Sequence, residues 1–487
     1  MENKILEDLA NDWLIEATID SIQEKYKKNE LTAKQVVLMY LHRISSYDSE
    51  LKSIIEINPD ALQIAMMLDA ERKEIGPRGP LHGIPVLLKD NLDTNDKMHT
   101  SAGSLALAES NAPEDSYVAY LLREAGAIIL GKTNMTEWAN FMTHGMPSGY
   151  SSRGGQTLNP YGPGKFDVGG SSAGSGSAIA ANFAVVAVGT ETSGSILSPS
   201  SQNSLVGIKP TVGLVSRAGI IPICHTQDTA GPMARTVKDA ASLLSVISEV
   251  DERDPITYTS RTLPSVNFTE YLDADGLKGA RIGIAREVYF DYLSEEKRAV
   301  MDKALKKLED LGATIIENVV IPSSRNKWNH DVMTYEFKVD LNAYLRKLDP
   351  SIKVRNLADL IKFNKENEGK MLKYGQLILE EAEKTSGTLT EKEYLEALEN
   401  DQYHSTENGI DYVLQEHDLD AIVFPNNIGA GIPAKAGYPS ITVPAGYTAE
   451  GEPVGITFTG TAFSEGSLIK LAYSFEQGTN YRIPPKL

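Results

Sequence analysis

The segment from Asp167 to Ser195 is the part of this chain that most restricts its fold. Two runs rich in glycine and serine, residues 169–177 and 189–195, flank an almost wholly apolar stretch. A flexible linker of this composition would carry charge or proline and would not lead into such a stretch. We therefore predict a buried helix followed by a buried strand, with both loops at the mouth of this core element. Glycine lets backbone N–H groups approach a ligand closely and serine supplies hydroxyls, so the pattern indicates a catalytic site.

Short apolar strands and helices alternate along the rest of the chain. Strands are predicted at 86–90, 127–130, 281–285, 313–321, 421–425, 440–444 and 454–458, and helices at 5–45, 59–74, 115–125, 294–311 and 464–477. This alternation predicts an α/β fold, a single α/β/α unit with a large mixed twisted sheet covered by helices. We expect one domain over 1–487. It would consist of a helical N-terminal part (1–75), a core (76–250) and a C-terminal part (251–487) that completes the sheet and the substrate pocket.

Composition excludes several classes of function. A net charge of -19 argues against a nucleic-acid surface and against adsorption to an anionic membrane. No apolar stretch approaches the roughly 18 residues that span a bilayer. The first residues lack the apolar core of a signal peptide, which predicts a cytoplasmic location, although a leader outside this sequence remains an alternative. One cysteine excludes an internal disulfide, and the eight histidines show no metal-ligand spacing, so we expect no metal.

A reactive serine needs a base to remove its proton. Neither Gly/Ser loop has an adjacent histidine, which disfavours the usual Ser–His arrangement. Apart from histidine, the base that can activate a serine is a lysine, which stays neutral when burial lowers its pKa. Lys89 suits that role because it ends the apolar run Val86-Leu-Leu-Lys. The residues alone therefore suggest a Ser–Lys hydrolase, with a surface pairing of Lys89 with Asp90 or Asp93 as the alternative.

Five motifs in order resemble the amidase-signature family. They are Gly83-Ile-Pro-Val-Leu-Leu-Lys-Asp, Gly131-Lys-Thr-Asn-Met, Gly169-Gly-Ser-Ser-Ala-Gly-Ser-Gly, Gly189-Thr-Glu-Thr-Ser-Gly-Ser-Ile and Val206-Gly-Ile-Lys-Pro-Thr-Val-Gly-Leu-Val-Ser. The resemblance is close over roughly 80–250 and holds in outline elsewhere. A nucleotide-binding loop is disfavoured, because the lysine of a P-loop is missing and Ile179 stands where a dinucleotide fingerprint needs glycine.

The resemblance implies a role for each residue of a Ser–cisSer–Lys triad. Ser195 would be the nucleophile, Ser171 (in a cis peptide) the bridge, and neutral Lys89 the general base. The backbone amides of the loop would form the oxyanion hole, and two further side chains would support the Lys89–Ser171 pair. The oxyanion-hole amides are those of Thr192, Ser193, Gly194 and Ser195, and the supporting side chains are those of Ser172 and Glu191.

The motifs also depart from the broad family in ways that indicate a branch. Ser193 stands where glycine or aspartate is common, Glu191 where aspartate is common, and Leu197 where arginine is common. With Thr226-Gln-Asp-Thr-Ala-Gly-Pro-Met, these choices resemble the bacterial peptide-amidase branch. The resemblance implies hydrolysis of C-terminal peptide amides or small acyl amides without a cofactor. Two alternatives remain, a glutamine-hydrolysing subunit of an amidotransferase and an inactive binding homologue. Both a monomer and a homodimer are compatible with the sequence.

Overall fold

The computed structural model describes residues 4–487 and contains thirteen strands among them. Eleven form one sheet, and β4 and β5 form a separate two-stranded ribbon. In chain order the strands are β1 Ile54–Ile57, β2 Pro85–Lys89, β3 Ile128–Thr133, β4 Tyr150–Ser151, β5 Gly155–Gln156, β6 Val186–Glu191, β7 Val206–Lys209, β8 Thr229–Ala234, β9 Arg281–Ile284, β10 Thr314–Ile316, β11 Ala421–Pro425, β12 Ser440–Tyr447 and β13 Pro453–Thr459.

Helices cover the sheet and form a second apolar cluster beside it. The α-helices are α1 Lys4–Asn11, α2 Ile19–Lys27, α3 Ala33–Leu51, α4 Ala61–Glu74, α5 Tyr117–Glu124, α6 Ala173–Ala180, α7 Leu197–Gln202, α8 Val237–Ile247, α9 Glu295–Asp310, α10 Asp331–Leu345, α11 Leu357–Glu366, α12 Glu368–Met371, α13 Leu377–Glu383, α14 Lys392–Ser405, α15 Asp411–Glu416, α16 Gly431–Ala436 and α17 Glu465–Thr479. Within 4–487, none of the helices is long and apolar enough to cross a membrane.

The large sheet is mixed, as predicted. Its strand order is β1-β3-β2-β6-β8-β7-β12-β13-β11-β9-β10. Neighbours are parallel in β3-β2-β6 and β11-β9-β10 and antiparallel elsewhere. The predicted α/β fold class is therefore confirmed. The sheet takes strands from both halves of the chain, which favours the single unit proposed from the sequence.

The parallel strands β3, β2 and β6 place chemically important residues at one edge of the sheet. Lys89, Thr133 and Glu191 are their last residues, and β2 pairs with both neighbours in parallel register. Carboxyl ends of parallel strands meet at the same edge, where open α/β sheets bind ligands. Residues that lie about a hundred positions apart in the chain therefore converge here.

The segment from Asp167 to Ser195 contains a buried helix followed by a buried strand, as its apolar pattern predicted. Every residue of α6 is buried, and so is every residue of β6. Glycine is needed in α6, because a Cβ on Gly174 would lie 2.3 Å from the carbonyl oxygens of Asn134 and Ser53. Both elements extend into the Gly/Ser runs predicted as loops, since α6 includes residues 173–177 and β6 includes residues 189–191, so only residues 169–172 and 192–195 lie in loops that flank this unit.

Two predicted elements differ from the structure. The helix predicted over 5–45 is three helices, α1 to α3, and Thr18 and Thr32 cap the second and third with capping boxes. The strand predicted at 313–321 is only β10, three residues long. In both regions the apolar pattern extends past local capping and turn residues that interrupt the backbone hydrogen bonds.

Candidate active site

The Lys89 side chain lies buried at the end of β2 among hydrogen-bond partners. Its Nζ is 2.7 Å from Ser171 Oγ, 2.8 Å from Thr190 Oγ1 and 3.2 Å from the Thr190 carbonyl oxygen. Asn91 Nδ2 donates to the same Thr190 hydroxyl oxygen at 3.0 Å. The surface pairing of Lys89 with Asp90 or Asp93 is therefore wrong, since Lys89 is fully buried and faces Ser171.

Because Lys89 is buried, it can lose its proton near neutral pH. Desolvation lowers the pKa of Lys89 from 10.5 to about 7, although the charges of Glu191 and Asp228 raise it. When charged, the ammonium donates to all three oxygens around it. When neutral, it keeps two N–H donors for Thr190 and accepts the Ser171 hydroxyl proton with its lone pair. The geometry therefore suits both protonation states of a base that acts on Ser171.

Ser171 and Ser195 lie on loops that touch each other. The Ser172 amide donates to the Ser195 carbonyl oxygen at 3.1 Å, and Ser195 is 8% exposed. The Gly170–Ser171 peptide bond is cis. Ser172 Oγ donates to the Thr190 carbonyl oxygen at 3.0 Å, so it contacts the acceptor of Lys89 and not Lys89 itself. The structure thus brings the three predicted catalytic residues to one place.

Glu191 has a different position from the one expected. Its carboxylate accepts the Gly194 amide at 2.6 Å, the Ile196 amide at 2.7 Å and the Leu197 amide at 3.0 Å. It therefore shapes the loop of residues 192–195, called the nucleophile loop here after the role predicted for Ser195, and acts on Lys89 only through its charge. The prediction for Gly194 needs correction as well, because its amide already donates to Glu191. The other predicted donors, the amides of Thr192, Ser193 and Ser195, have no hydrogen-bond acceptor among the described residues.

Asp228 holds the first of these donors in place. One carboxylate oxygen accepts the Thr192 hydroxyl at 2.6 Å, and the other accepts the Ile223 and Cys224 amides at 2.7 and 3.0 Å. Burial raises the pKa of Asp228 to about 6, so the carboxylate is ionised at neutral pH. Asp228 therefore fastens the nucleophile loop to the segment around Cys224.

We expect Asp228→Asn to lower kcat by about 10- to 100-fold, a fraction of what loss of one oxyanion donor costs. The amide would place an N–H against one of the donors that Asp228 now accepts. Steady-state kinetics of Asp228→Asn, Thr192→Val and the double variant would measure this. If Asp228 acts through Thr192, the double variant loses less than the product of the single losses. Asp239→Asn, at a buried carboxylate that accepts the Ile19 amide elsewhere, is the matched control. If kcat of the double variant falls by the full product of the two single losses, Asp228 does not act through Thr192.

Two cavities adjoin the nucleophile loop at successive residues. The Thr192 cavity, of about 220 Å³, is lined by Thr192 and by apolar and charged side chains, including an Arg217–Asp254 pair joined at 2.6 and 2.9 Å. The Ser193 cavity, also of about 220 Å³, is lined by Ser193, by five aromatic and aliphatic side chains that provide most of its exposed surface, and by polar side chains such as Gln227 and Asn329. Each cavity is therefore a candidate binding space beside the nucleophile loop.

His225, Glu336 and Asp340 form a group whose ligand atoms lie within 4.8 Å of one another. His225 Nδ1 is 2.9 Å from Asp340 and Nε2 is 3.4 Å from Glu336. The hydrogen bond to Asp340 raises the pKa of His225. An imidazolium can donate from both nitrogens, whereas a metal would take only one of them. A proton therefore satisfies this group and we assign it no metal. Cys224, which precedes His225 at the start of a turn, is buried.

The sequence does not identify Thr190, Asn91 or Asp228 as site residues. Thr190 accepts from Lys89 twice, and it stands inside the quoted motif between Gly189 and Glu191. Asp228 also stands inside a quoted motif, but the pattern there indicates only a structural turn. No spacing rule distinguishes such supporting residues from loop residues, because their partners lie far away in the chain.

Comparisons with known proteins find similarity over nearly the whole chain. A family model described as Amidase matches residues 35–469. A protein of Arabidopsis thaliana named a "probable amidase" is 44% identical over 97% of this chain and 91% of its own length. The crystal structure of the peptide amidase of Stenotrophomonas maltophilia is 43% identical, with a TM-score of 0.91, over 96% of this chain and 98% of that chain.

A further relative has a name that refers to a different reaction. It is a glutamyl-tRNA(Gln) amidotransferase subunit of Thermoanaerobacter pseudethanolicus, 32% identical over 97% of this chain and 98% of its own length. The identity is lower than that to the two amidases by about ten percentage points. The same family therefore includes proteins named for different reactions.

Proposed function

Since this chain belongs to the amidase family and is an enzyme acting on amides, we propose that it hydrolyses C-terminal amides of peptides and releases ammonia. The contact that carries the proposal is the 2.7 Å approach of buried Lys89 Nζ to Ser171 Oγ, beside the loop of Ser195. The similarity to a bacterial peptide amidase over nearly the whole of both chains supports the substrate class.

In the proposed mechanism, Ser195 attacks the amide carbonyl carbon. Ser195 Oγ passes its proton to Ser171 Oγ, which passes its own to neutral Lys89. The carbonyl oxygen becomes an oxyanion, stabilised by the free amides of Thr192, Ser193 and Ser195. Since these donors are fixed by the loop before reaction, no reorganisation is needed when charge develops.

The tetrahedral intermediate then collapses with loss of ammonia. Lys89 returns its proton through Ser171 to the leaving nitrogen, the C–N bond breaks, and the acyl group remains as an ester on Ser195. Water attacks this ester, and its proton follows the same route to Lys89. The second tetrahedral intermediate then collapses, the bond between the acyl carbon and Ser195 Oγ breaks, Lys89 returns the proton through Ser171 to Ser195 Oγ, and the acid leaves. Every proton passes over the Lys89–Ser171 contact, so the pKa of Lys89 governs both half-reactions.

The first alternative is a glutamine-hydrolysing component of an amidotransferase. One observation favours it, the similarity to a glutamyl-tRNA(Gln) amidotransferase protein over nearly the full length of both chains. The acidic net charge of -19 disfavours a surface for tRNA. The second alternative, an inactive binding homologue, is disfavoured because the lysine and both serines are present and adjoining.

We expect the purified chain to release ammonia from an amidated dipeptide with a kcat/KM at least tenfold above that for free glutamine. An ammonia assay on both substrates and on a simple aliphatic amide would measure this, with the Lys89→Met variant as the inactive control. Preference for glutamine would support the amidotransferase alternative instead. Failure on all three amides would contradict the proposed substrate class.

A further inference from the structure

We propose that the Ser193 cavity is the subsite for the side chain of the amidated residue and selects large uncharged side chains. This inference rests on the proposed function. Ammonia needs almost no pocket, so both cavities at the nucleophile loop are available to the acyl part of the substrate. The α-carbon of an amidated residue carries two branches, a side chain and the rest of the peptide. Two cavities that meet the loop at Thr192 and Ser193 match these two branches.

The side chains that line the Ser193 cavity indicate that it binds the side chain of the amidated residue and not the rest of the peptide. Trp328, Met333 and Ile432 contribute apolar surface, and the indole N–H of Trp328 is already satisfied by the Ser323 carbonyl oxygen at 3.2 Å. The cavity of about 220 Å³ has room for a ring, since an apolar cavity of about 150 Å³ in another protein holds benzene.

The charged groups around this cavity are compensated within the protein. Lys435 Nζ donates to Asp401 at 2.5 Å and to the Asn329 carbonyl oxygen at 3.0 Å. Burial, together with the charge of Lys435, lowers the pKa of His330, so this ring is neutral at neutral pH. A carboxylate or ammonium entering the cavity would lose its hydration without finding a free partner of opposite charge.

The Thr192 cavity suits the other branch, the peptide chain. Its lining mixes apolar side chains such as Ile221 and Ile223 with the Arg217–Asp254 pair and exposed Lys347. A peptide carries amide groups along its whole length and is served better by such a mixed lining than by an apolar one. The two cavities therefore differ in the way that the two branches of the substrate differ.

The test uses N-acetylated dipeptide amides, acetyl-Ala-X-amide, in which X is Gly, Leu, Phe, Asp or Lys. We expect kcat/KM for Leu and Phe to exceed that for Gly by tenfold or more, the range that burial of a side chain supplies in an enzyme pocket. Asp and Lys should fall below Gly. Equal rates for all five would overturn the subsite while leaving the proposed function intact. No ammonia from any of them would overturn the proposed function and this inference with it.

Gly431 provides a way to fill the cavity without strain. It lines the cavity at the start of α16, and a Cβ added there meets no atom within 4 Å. We expect Gly431→Leu to bring the Phe:Gly ratio of kcat/KM close to one, and Gly431→Ala to lower it partly. Gly369→Leu, at an exposed helical glycine with equally open space in α12, should keep the wild-type ratio. An unchanged ratio in folded Gly431→Leu and Gly431→Ala would overturn the assignment.

Discussion

Replacement of Lys89 by methionine is expected to abolish amide hydrolysis while leaving the fold intact. Methionine has a similar length and belongs in a buried site, but its thioether sulfur is far too weak a base to take the Ser171 proton. We expect kcat to fall by several orders of magnitude, on the order of 10⁴ to 10⁶, as when a member of a catalytic triad is removed. The measurement is ammonia release under saturating peptide amide, with circular dichroism to verify folding. Substantial residual activity would exclude a lysine base.

The same lysine predicts the pH dependence of the wild type. Only the neutral amine can act as base, and burial lowers the pKa of Lys89 to about 7. We therefore expect kcat/KM to rise with pH through about 7 and to level off above it. If kcat/KM instead rises only near pH 9 or above, Lys89 has an ordinary pKa.

Stability should respond to the same shift. The unfolded chain holds the Lys89 proton up to about 10.5, whereas the folded chain loses it near 7. Between these values the unfolded state binds more protons, so the contribution of Lys89 to the free energy of unfolding increases with pH. Methionine binds no proton in either state, so Lys89→Met removes this pH-dependent contribution. The variant should therefore gain stability relative to wild type as the pH is lowered from 10.5 to 7, which urea unfolding at several pH values would measure.

Replacement of Ser195 by alanine is the second change with a large expected effect. It removes the atom that would carry the acyl group, while the backbone amide of residue 195 remains. We expect a similar loss in kcat and no covalent labelling by a sulfonyl fluoride, which mass spectrometry would detect on the wild type. Substrate binding should persist, because the cavities beside the loop keep their lining.

The control is Ser198→Ala, three residues further along the chain, whose hydroxyl has no catalytic role in the mechanism. It should retain labelling and activity. Labelling of Ser195→Ala at another serine, with activity preserved, would show that the nucleophile has been assigned wrongly. Loss of labelling in Lys89→Met as well would show that the lysine activates Ser195.

Much of the core could be predicted from the chain itself because the signals are local. The apolar run after residue 177 predicted α6 and β6, which are wholly buried as expected. The motifs around Lys89, Ser171 and Ser195 indicated residues that the fold does bring together. Long helices such as α9 and α17 also matched, because an amphipathic repeat reports on burial residue by residue.

The positions of supporting groups depended on contacts across the chain. The sequence predicts that Glu191 assists Lys89, but its carboxylate binds three amides of the next turn. Asp228 lies 36 residues from Thr192, whose hydroxyl it accepts. Such a hydrogen bond depends on the register of β6 against β8, and neither residue carries a local sign of that register.

The sequence by itself determined the α/β class, the order of the buried elements and the three residues proposed for catalysis. The fold class and the order of elements follow from composition and periodicity, which are properties of neighbouring residues, and the three candidate catalytic residues follow from the resemblance of the motifs to the amidase-signature family. The tertiary structure decided how far the pKa of Lys89 is lowered, which amides of the loop remain free and how the two cavities differ. Desolvation, hydrogen-bond geometry and cavity lining all come from residues that meet only when the sheet has formed.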